Sequence, residues 1–260
     1  MYETIRYATS DRMATLTLHR PQVRNALNAV LLRELLDALQ EAEGDDGVRA
    51  LILTGSGPAF CAGQDLTVFQ QALEAGQAPD VQRLLDETYH PVVRAIHDMP
   101  KPVIAAVNGA AAGAGMSLAL ACDLRIMAED AFFTQAFIRL GLVPDSGSTF
   151  FLTRLVGPAR AFDLAASGRR VGAAEALRLG LAERVVRAGD VLPTAQEEAS
   201  RLAQRPARAI AWTKQLFQKV ARLDMEAALQ AEATLQAKAI VTEEHREGVQ
   251  AFMEKRSPRF

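Results

Sequence analysis

One carboxylate stands out in this sequence because of the residues that surround it. Asp145 lies in the stretch Leu140–Thr149, which otherwise contains only apolar and small residues. A carboxylate in an apolar surround must be paired, hydrogen-bonded or used in chemistry, and burial raises its pKa toward the range of a useful base. Aromatic residues flank the stretch on both sides, at Phe132, Phe133, Phe137, Phe150 and Phe151. Asp145 is therefore the first candidate for a catalytic base.

A structural role for the same residue is also open. Asp145 or Ser146 is placed to cap a helix that the pattern predicts over Phe150–Val156, and aspartate and serine are common N-cap residues. Taken alone, the stretch fits both interpretations equally. The choice depends on whether the rest of the chain brings together the groups that a base needs.

Two turns of small residues follow predicted buried strands. The strand Val48–Thr54 leads to Ala59–Leu66, which contains Gly63. The strand Lys101–Val107 leads to Asn108–Ser117, which is rich in alanine and glycine and opens a helix. Small side chains let a ligand approach the backbone, and a helix start exposes unpaired N–H groups. The second turn is not a nucleotide-binding loop, because the lysine and glycine spacing of such loops is missing.

The elements around these turns predict an α/β fold. Short strands are predicted at Ile5–Ala8 and Ala14–His19. A helix is predicted from Asp80 to Ile96 with a kink at Pro91, and the weakly patterned residues Gln70–Pro79 are predicted to form a loop. Another helix carries an apolar stripe at Leu32, Leu35, Leu36, Leu39 and Ala42.

Beyond Val156 the pattern is almost wholly helical. We divide the chain into a core of residues 1–200 and a C-terminal helical region of residues 201–260, which either packs on the core or serves oligomerisation. A short extended segment is predicted at Leu181–Val186. Helices are predicted at Pro158–Ser167, Ala173–Leu179, Pro193–Gln204, Pro206–Leu223, Met225–Ile240 and Glu243–Glu254.

The composition argues against several classes of protein. The chain has 260 residues, of which 49% are hydrophobic, and its net charge of −2 gives no bulk attraction to nucleic acid or anionic lipid. No run approaches the roughly 20 apolar residues that a membrane span needs. Cys61 and Cys122 make no disulfide framework, and the first residues contain no apolar signal segment. We therefore expect a cytoplasmic protein that binds neither nucleic acid nor membrane.

Short motifs form an ordered set along the chain: Arg20–Pro21, Arg24–Asn28, Phe60–Leu66, Lys101–Gly109, Gly113–Gly115, Cys122–Asp123 and Phe252–Pro258. Over essentially its full length, the chain resembles the crotonase superfamily, the enoyl-CoA hydratase/isomerase group. The resemblance implies an α/β fold with a crotonase-like ββα superhelix core and a helical C-terminal trimerisation region. It also implies assembly as a homotrimer or as a dimer of trimers.

The resemblance further implies a substrate and its contacts. The substrate is expected to be a coenzyme A thioester, so coenzyme A enters as part of the substrate, and no separate cofactor or metal is expected. Two backbone N–H groups, those of Ala62 and Ala114, are expected to form an oxyanion hole. Contacts with the substrate or its coenzyme A portion are expected from Arg24, Ala26, Gln64, Asp65, Leu66, Phe137 and Lys255.

Several of these residues also have structural interpretations. Asp65 either orients the loop of Ala62 or stabilises its turn. Arg24 either binds coenzyme A phosphates, which suit a guanidinium group, or is a solvated surface residue. Phe137 is either a pocket wall or a core residue. Lys255 resembles a lysine of the family that reaches the nucleotide of a neighbouring subunit.

Two expected glutamates are missing from the chain. Hydratases of the family add water with a pair of glutamates, and Ser117 and Phe137 stand at those positions here, whereas Asp145 stands where hydratases usually have glycine. The segment Gly141–Thr149 most resembles the isomerases that convert ring-1,2-epoxyphenylacetyl-CoA to an oxepin in phenylacetate degradation. A single base can take a proton from C2 of a thioester and return it at C4. Isomerisation is therefore expected in preference to hydration.

Several functions remain open beside this isomerase. The same residues suit a Δ3,Δ2-enoyl-CoA isomerase, a dehalogenase-like chemistry in which Asp145 attacks the substrate and, less well, an enoyl-CoA hydratase. A non-catalytic scaffold that binds acyl-CoA or RNA is a further alternative, although the acidic net charge weighs against RNA. Because the oxyanion elements supply the partners that a base needs, we interpret Asp145 as the base rather than as a helix cap.

Overall fold

The computed structural model describes residues 2–76 and 79–260 of the chain. The strands of this part are β1 (Ile5–Ser10), β2 (Met13–Leu18), β3 (Ala50–Gly55), β4 (Ala59–Cys61), β5 (Val103–Val107), β6 (Ala110–Ala112), β7 (Leu124–Ala128), β8 (Phe132–Thr134), β9 (Arg170–Gly172) and β10 (Arg184–Val186). They form a six-stranded sheet in the order β1-β2-β3-β5-β7-β10 and a four-stranded sheet in the order β4-β6-β8-β9. The predicted α/β architecture is confirmed.

The large sheet is parallel except for its first pair of strands. Strands β1 and β2 form an antiparallel hairpin that turns at Asp11 and Arg12, both with a positive φ, as a tight hairpin requires. From β2 to β10 the pairs are parallel. Strands β3 and β5 are buried along their whole length, which explains their continuous apolar sequences. Because they are parallel neighbours, the turns that follow them leave the sheet at the same edge.

Helices cover the sheets and extend beyond them. The stripe predicted for the first helix is largely buried, and the helix begins at Asn28, whose side chain accepts a hydrogen bond from the Leu31 amide at 2.9 Å. The helices are α1 (Ala29–Gly44), α2 (Thr67–Glu74), α3 (Val81–Leu84), α4 (His90–Asp98), α5 (Ala114–Ala121), α6 (Ser148–Val156), α7 (Pro158–Ser167), α8 (Ala173–Leu179), α9 (Val191–Ala203), α10 (Ala207–Val220), α11 (Met225–Ala239) and α12 (Glu243–Glu254).

The helix predicted from Asp80 to Ile96 is interrupted, but the interruption precedes the proline. A π-helical segment, Leu85–Tyr89, separates α3 from α4, and Pro91 lies within the first turn of α4. Proline has no N–H to give to the carbonyl one turn before it, and a π-helical turn is a common way for a helix to absorb such a break. Tyr89 is the buried residue of this segment.

The segment before α3 also differs from the prediction. Residues Gln70–Pro79 were expected to form a loop, but α2 occupies Thr67–Glu74 and so includes the start of that range. Gln77 and Ala78 lie outside the described residues. The small sheet was not foreseen as a set of strands, because each of its members has three residues and shows too little alternation for a strand pattern.

The C-terminal helices follow the predicted pattern closely. Helix α9 packs on the large sheet and runs through residue 201, whereas α10 pairs with α11. The division of the chain at residue 201 stays a prediction. The last three helices and the connection between α11 and α12 expose large apolar side chains, among them Phe217, Met225, Ile240, Val241 and Phe252. In the described ranges, no helix has the length and apolar character needed to cross a membrane.

Candidate active site

The loop that carries Asp145 is fixed to two helices through its backbone. The carbonyl oxygen of Asp145 accepts hydrogen bonds from the Ser148 amide at 2.9 Å and from the Ser117 hydroxyl at 3.3 Å. Helix α6 begins after Gly147, which has a positive φ, and no side chain caps it. The alternative interpretation of Asp145 or Ser146 as a helix N-cap is therefore wrong, because the cap position is Gly147 and the Asp145 side chain is free for another role.

The carboxylate of Asp145 is half-buried and weakly solvated. Its hydrogen bond within the described part of the chain comes from the Ser146 hydroxyl at 2.9 Å. Burial raises the pKa of Asp145 above the ordinary value of a carboxylic acid, although the Ser146 hydrogen bond and the charge of His90 act in the opposite direction. A carboxylate with a raised pKa is a stronger base than an aspartate in water.

The two small-residue turns lie against each other at the level of the backbone. Gly63 has a positive φ, and a Cβ at this position would lie 2.7 Å from the Ala112 carbonyl oxygen and 3.6 Å from the Ala114 nitrogen. A Cβ at Gly115 would lie 2.3 Å from the Cys61 carbonyl oxygen. Such distances exclude a side chain. Glycines at these two positions therefore allow the turn after β4 to contact the start of α5.

The hydrogen bonds of the first turn correct one predicted site residue. The amide of Ala62 donates to the Arg24 carbonyl oxygen at 2.9 Å, so this N–H is already engaged inside the protein. Leu27 donates to Gly63 at 2.7 Å and accepts from Asp65 at 2.9 Å in a parallel bridge. In such a bridge the residue between the two partners points its own N–H to the opposite side.

The prediction of Ala62 as an oxyanion donor is therefore wrong, and the available N–H at this turn is that of Gln64. Ala114 is the first residue of α5, where an amide has no acceptor within the helix, and its nitrogen lies beside Gly63. The turn that carries the Gln64 amide therefore lies against the start of α5, where Ala114 is the first residue. The sequence pattern located the correct turn but not the direction of each N–H, which depends on the bridge to Leu27.

Two residues at the expected glutamate positions occupy the start of α5 and the segment after β8. Ser117 is fully buried, and its hydroxyl also lies 3.3 Å from the Gly113 carbonyl oxygen. Phe137 is buried with its ring 3.7 Å from the place that a Cβ of Gly113 would take. Phe137 therefore packs against the turn that leads to Ala114, which favours its interpretation as a wall of the candidate site.

The loop between β2 and α1 holds the Gln64 turn in place. Asn25 is fully buried in the left-handed conformation, and its Nδ2 donates to the carbonyls of Ser56 at 3.0 Å, Ala59 at 2.8 Å and Phe60 at 3.2 Å. Its Oδ1 accepts from the Arg20 amide at 2.9 Å. Asn25 was recognised only as part of a motif, because its partners are distant in sequence.

Asp65 supports the same turn through its carboxylate. One oxygen accepts from Arg20 at 2.9 Å, and the other accepts from the hydroxyl of Thr67 at 2.7 Å and from its amide at 3.2 Å. The Thr67 and Arg20 hydrogen bonds hold the pKa of Asp65 below its ordinary value, even though partial burial opposes them. Both oxygens are engaged by the protein, which favours the interpretation of Asp65 as a turn-stabilising residue, and its contact with the substrate stays a prediction.

The other predicted contact residues differ in exposure, and Ala26 is buried. Arg24 is exposed with a positive φ, the Ala26 carbonyl accepts from Arg20 Nη1 at 2.6 Å, and Leu66 is exposed. Lys255 is exposed at the C-terminal end of α12.

Tyr89 is a site residue that the sequence did not reveal. Its hydroxyl donates to Gln64 Oε1, and its side chain is buried. Burial raises the pKa of Tyr89, and the nearby carboxylates of Asp145 and Asp65 reinforce the effect. The residue follows a regular helical pattern in the sequence, so its position looked like ordinary packing, and the π-helical turn that places it has no sequence signature.

A cavity of about 450 Å³ lies away from these groups, between α5, α6 and α10. Its lining is mainly apolar and includes His97, Phe150, Phe151, Lys214 and Phe217. Neither Asp145 nor the amides of Gln64 and Ala114 line it. We assign the candidate active site by its chemical groups, since this cavity lacks a carboxylate facing a pair of backbone donors.

Comparison with known proteins places these features in a family. The enoyl-CoA hydratase/isomerase family model matches residues 8–260. A probable enoyl-CoA hydratase of Rhodobacter capsulatus is 46% identical over 259 residues, which cover 100% of this chain and 98% of the relative. The 1,2-epoxyphenylacetyl-CoA isomerase of Escherichia coli is 41% identical over 260 residues, which cover 100% of this chain and 99% of the relative.

Solved structures agree with the sequence relatives. The crystal structure of an enoyl-CoA hydratase from a Polaromonas species superposes with a TM-score of 0.93 at 36% identity, with 98% of each chain covered. The expected crotonase-like fold is therefore confirmed. The family match, the identities over the whole chain and the shared fold lead to one conclusion: the chain belongs to the enoyl-CoA hydratase/isomerase family of the crotonase superfamily.

Proposed function

We propose that the protein is an isomerase of a coenzyme A thioester, with Asp145 as its single base and the amides of Gln64 and Ala114 as its oxyanion hole. The observation that carries the proposal is the position of Asp145. Its half-buried carboxylate has a raised pKa, and the positions where hydratases of the family are expected to carry glutamates hold Ser117 and Phe137. One carboxylate and two backbone donors are the groups that a proton transfer next to a thioester needs.

For an enoyl substrate the proposed reaction moves one proton and one double bond. For the ring epoxide it also breaks the carbon–carbon bond that the epoxide shares with the six-membered ring, so that the oxygen enters a seven-membered oxepin ring and the mass stays unchanged. Asp145 takes a proton from C2, and the thioester oxygen becomes an enolate oxygen that the two amides stabilise. Each such donor contributes about 3 kcal/mol of barrier lowering in well-studied cases. The protonated Asp145 then returns the proton at C4, which shifts the double bond. In this scheme coenzyme A is part of the substrate and the proton transfer uses no other cofactor.

Hydration fits the same residues less well. It needs one group to activate water and another to deliver a proton to carbon. The Ser117 hydroxyl is buried against two carbonyl oxygens, and the Phe137 ring has no proton to exchange. We therefore expect crotonyl-CoA to be hydrated slowly or not at all.

For the acyl group we propose the ring-1,2-epoxide of phenylacetyl-CoA, which is converted to oxepin-CoA in phenylacetate degradation. The Gly141–Thr149 segment and the 41% identical isomerase of Escherichia coli support this choice. A Δ3,Δ2-enoyl-CoA isomerase is the second candidate, because the same base and donors perform that transfer. The 46% identical relative carries a hydratase name, which makes the test of water addition necessary.

A direct assay separates these functions. The protein is incubated with epoxyphenylacetyl-CoA, 3-hexenoyl-CoA and crotonyl-CoA, and products are followed by ultraviolet absorbance and mass spectrometry. We expect isomers of unchanged mass from one of the first two substrates, and rapid formation of a product heavier by one water from crotonyl-CoA would contradict the proposal. Asp145→Asn is expected to bind the thioester nearly normally and to lower turnover by a factor of about 10² to 10⁴. The exposed Asp130→Asn is the matched control.

The same proposal extends to assembly and coenzyme A binding. We propose a homotrimer or a dimer of trimers formed through the C-terminal helices, which is supported by their exposed apolar side chains. Exposed Arg24 and Lys255 are proposed to contact coenzyme A phosphates, and in that assembly Lys255 would act on a neighbouring subunit. The proposed location is the cytoplasm, which suits the two free and buried thiols of Cys61 and Cys122.

A further inference from the structure

We propose that Tyr89 is a positioning residue that acts through the side chain of Gln64 to direct the Gln64 amide at the thioester oxygen. The inference rests on the proposed function, because it assumes that this amide is an oxyanion donor. Tyr89 itself does not need to touch the substrate. Its role is to hold the turn that does.

The π-helical segment delivers the Tyr89 hydroxyl to the turn. Tyr89 is the last residue of the segment Leu85–Tyr89 and its buried one, and Pro91 follows two residues later in α4. An extra residue in a helical turn rotates the residues that precede it relative to those that follow. The break before Pro91 therefore sets which side chain faces the core at this point, and that side chain carries a hydroxyl.

The turn at Gln64 is held on one side through its backbone and on the other side through the Gln64 side chain. On one side the bridge to Leu27 fixes the carbonyl of Gly63 and the amide of Asp65. On the other side the Tyr89 hydroxyl donates to Gln64 Oε1, while Gln64 Nε2 donates to the Asp65 carbonyl at 3.3 Å. The peptide of Gln64 is thus located between a fixed backbone and a fixed side chain, which restricts the direction of its N–H.

The electrostatic surroundings keep the Tyr89 hydroxyl protonated, so that it remains the donor of this hydrogen bond. Burial and the nearby negative charges of Asp145 and Asp65 disfavour a phenolate at Tyr89. The hydroxyl therefore stays protonated and remains a donor over the working range of pH. Replacing Tyr89 by phenylalanine preserves the buried ring and removes only the donor, so that Gln64 Oε1 loses its partner.

The polarisation of a bound thioester measures the strength of the oxyanion hole. Cinnamoyl-CoA has no C4 proton to transfer, and its ultraviolet absorption moves to longer wavelength when its carbonyl oxygen accepts hydrogen bonds. We expect the wild-type protein to shift this band on binding and Tyr89→Phe to show a clearly smaller shift at saturation. We also expect kcat with the isomerised substrate to fall about tenfold, with KM changed much less.

A double-mutant cycle distinguishes positioning through Gln64 from general packing. In Gln64→Ala the backbone amide remains but the partner of Tyr89 is gone, so adding Tyr89→Phe to this variant should change neither the shift nor kcat further. Tyr7→Phe is the matched control, since the Tyr7 hydroxyl is buried on β1 without a hydrogen-bond partner among the described residues. If Tyr89→Phe is too unstable to purify, Gln64→Lys provides the second test, because it removes the acceptor of the Tyr89 hydroxyl and keeps a donor for the Asp65 carbonyl; a reduced shift supports the inference and a full shift overturns it.

The outcomes separate this inference from the function beneath it. If wild-type protein binds cinnamoyl-CoA without any shift, or if Asp145→Asn turns over normally, the proposed isomerase mechanism fails. If the wild-type shift is present and both Tyr89→Phe and Gln64→Ala retain it in full, the mechanism stands and the positioning role is overturned. Additive losses in the double variant would also overturn it.

Discussion

The hydroxyl oxygen of Ser117 lies 3.3 Å from the carbonyl oxygen of Asp145, and so connects the helix that starts at Ala114 to the loop that carries the candidate base. The same hydroxyl lies 3.3 Å from the Gly113 carbonyl oxygen. Ser117 thus has a structural role at the candidate site. It keeps the donor helix and the base at a fixed distance.

We predict that Ser117→Ala lowers kcat by about fivefold to tenfold and leaves KM nearly unchanged, because one buried hydrogen bond to the loop of Asp145 is lost. Steady-state kinetics with the isomerised substrate measures the effect. Ser167→Ala is the matched control, since the Ser167 hydroxyl bonds the Asp163 carbonyl in an exposed turn of α7 at 2.6 Å. An unchanged kcat in Ser117→Ala would show that the backbone bonds alone hold the loop.

The pH dependence of the reaction should report the carboxylate of Asp145. A base must be deprotonated, so kcat/KM is expected to rise with pH through the pKa of Asp145, which burial raises above that of an ordinary aspartate. The positive charge of His90 lowers the pKa of Asp145, so His90→Gln should move the rise of kcat/KM to higher pH. A pH–rate profile of both proteins tests this. If kcat/KM rises at the same pH in His90→Gln as in the wild type, the charge of His90 does not affect the pKa of Asp145.

Removing the charge of Asp145 should stabilise the fold near neutral pH. Because the pKa of Asp145 is raised in the folded protein, the wild type loses stability as pH rises through that pKa, while at lower pH both folded and unfolded chains are protonated there. We expect Asp145→Asn to increase the free energy of unfolding by about 1 kcal/mol at pH 7 and by much less in acid. Denaturant unfolding at several pH values measures the difference, and a gain that is the same in acid would contradict this origin.

Asn25 should be among the residues on which folding depends most. Asn25→Ala leaves three carbonyls without their donor and places alanine, which adopts the left-handed conformation less readily than asparagine, at a positive φ. We therefore predict that the free energy of unfolding falls by about 2–4 kcal/mol. Asn25→Gly tolerates the backbone conformation but also lacks the donor. If Asn25→Gly were as stable as the wild type, conformation and not hydrogen bonding would explain the effect. The exposed Gln22→Ala serves as control.

The sequence predicts the regular parts of this fold well because they follow simple periodicities. The bounds of α7, α8 and α12 agree with their patterns, since Pro158, Gly168, Gly180 and Thr242 mark ends or starts by local chemistry. The buried strands β3 and β5 appear as continuous apolar runs. These features depend on neighbours in the chain.

The features that the sequence did not predict depend on distant contacts. The direction of the Gln64 amide follows from its bridge to Leu27, and the position of Tyr89 follows from a π-helical turn without its own pattern. Asp145 stands out in the sequence as an unusual carboxylate, but the sequence alone does not exclude its use as a helix cap. The structure excludes it, because Gly147 holds the N-cap position of α6 and the Ser148 amide donates to the backbone carbonyl of Asp145. Local periodicity carries no information about such partners.

The bridge between Leu27 and Gln64 also limits how this loop can change in length. Leu27 engages the residues on either side of Gln64, and successive residues of an extended chain point their amides to opposite sides. Inserting or deleting one residue between Cys61 and Gln64 would therefore present a different backbone group to the substrate, even with every side chain kept. Residues added beyond Asp65, towards the start of α2 at Thr67, would not change which amide faces the substrate, so the chain can vary in length there.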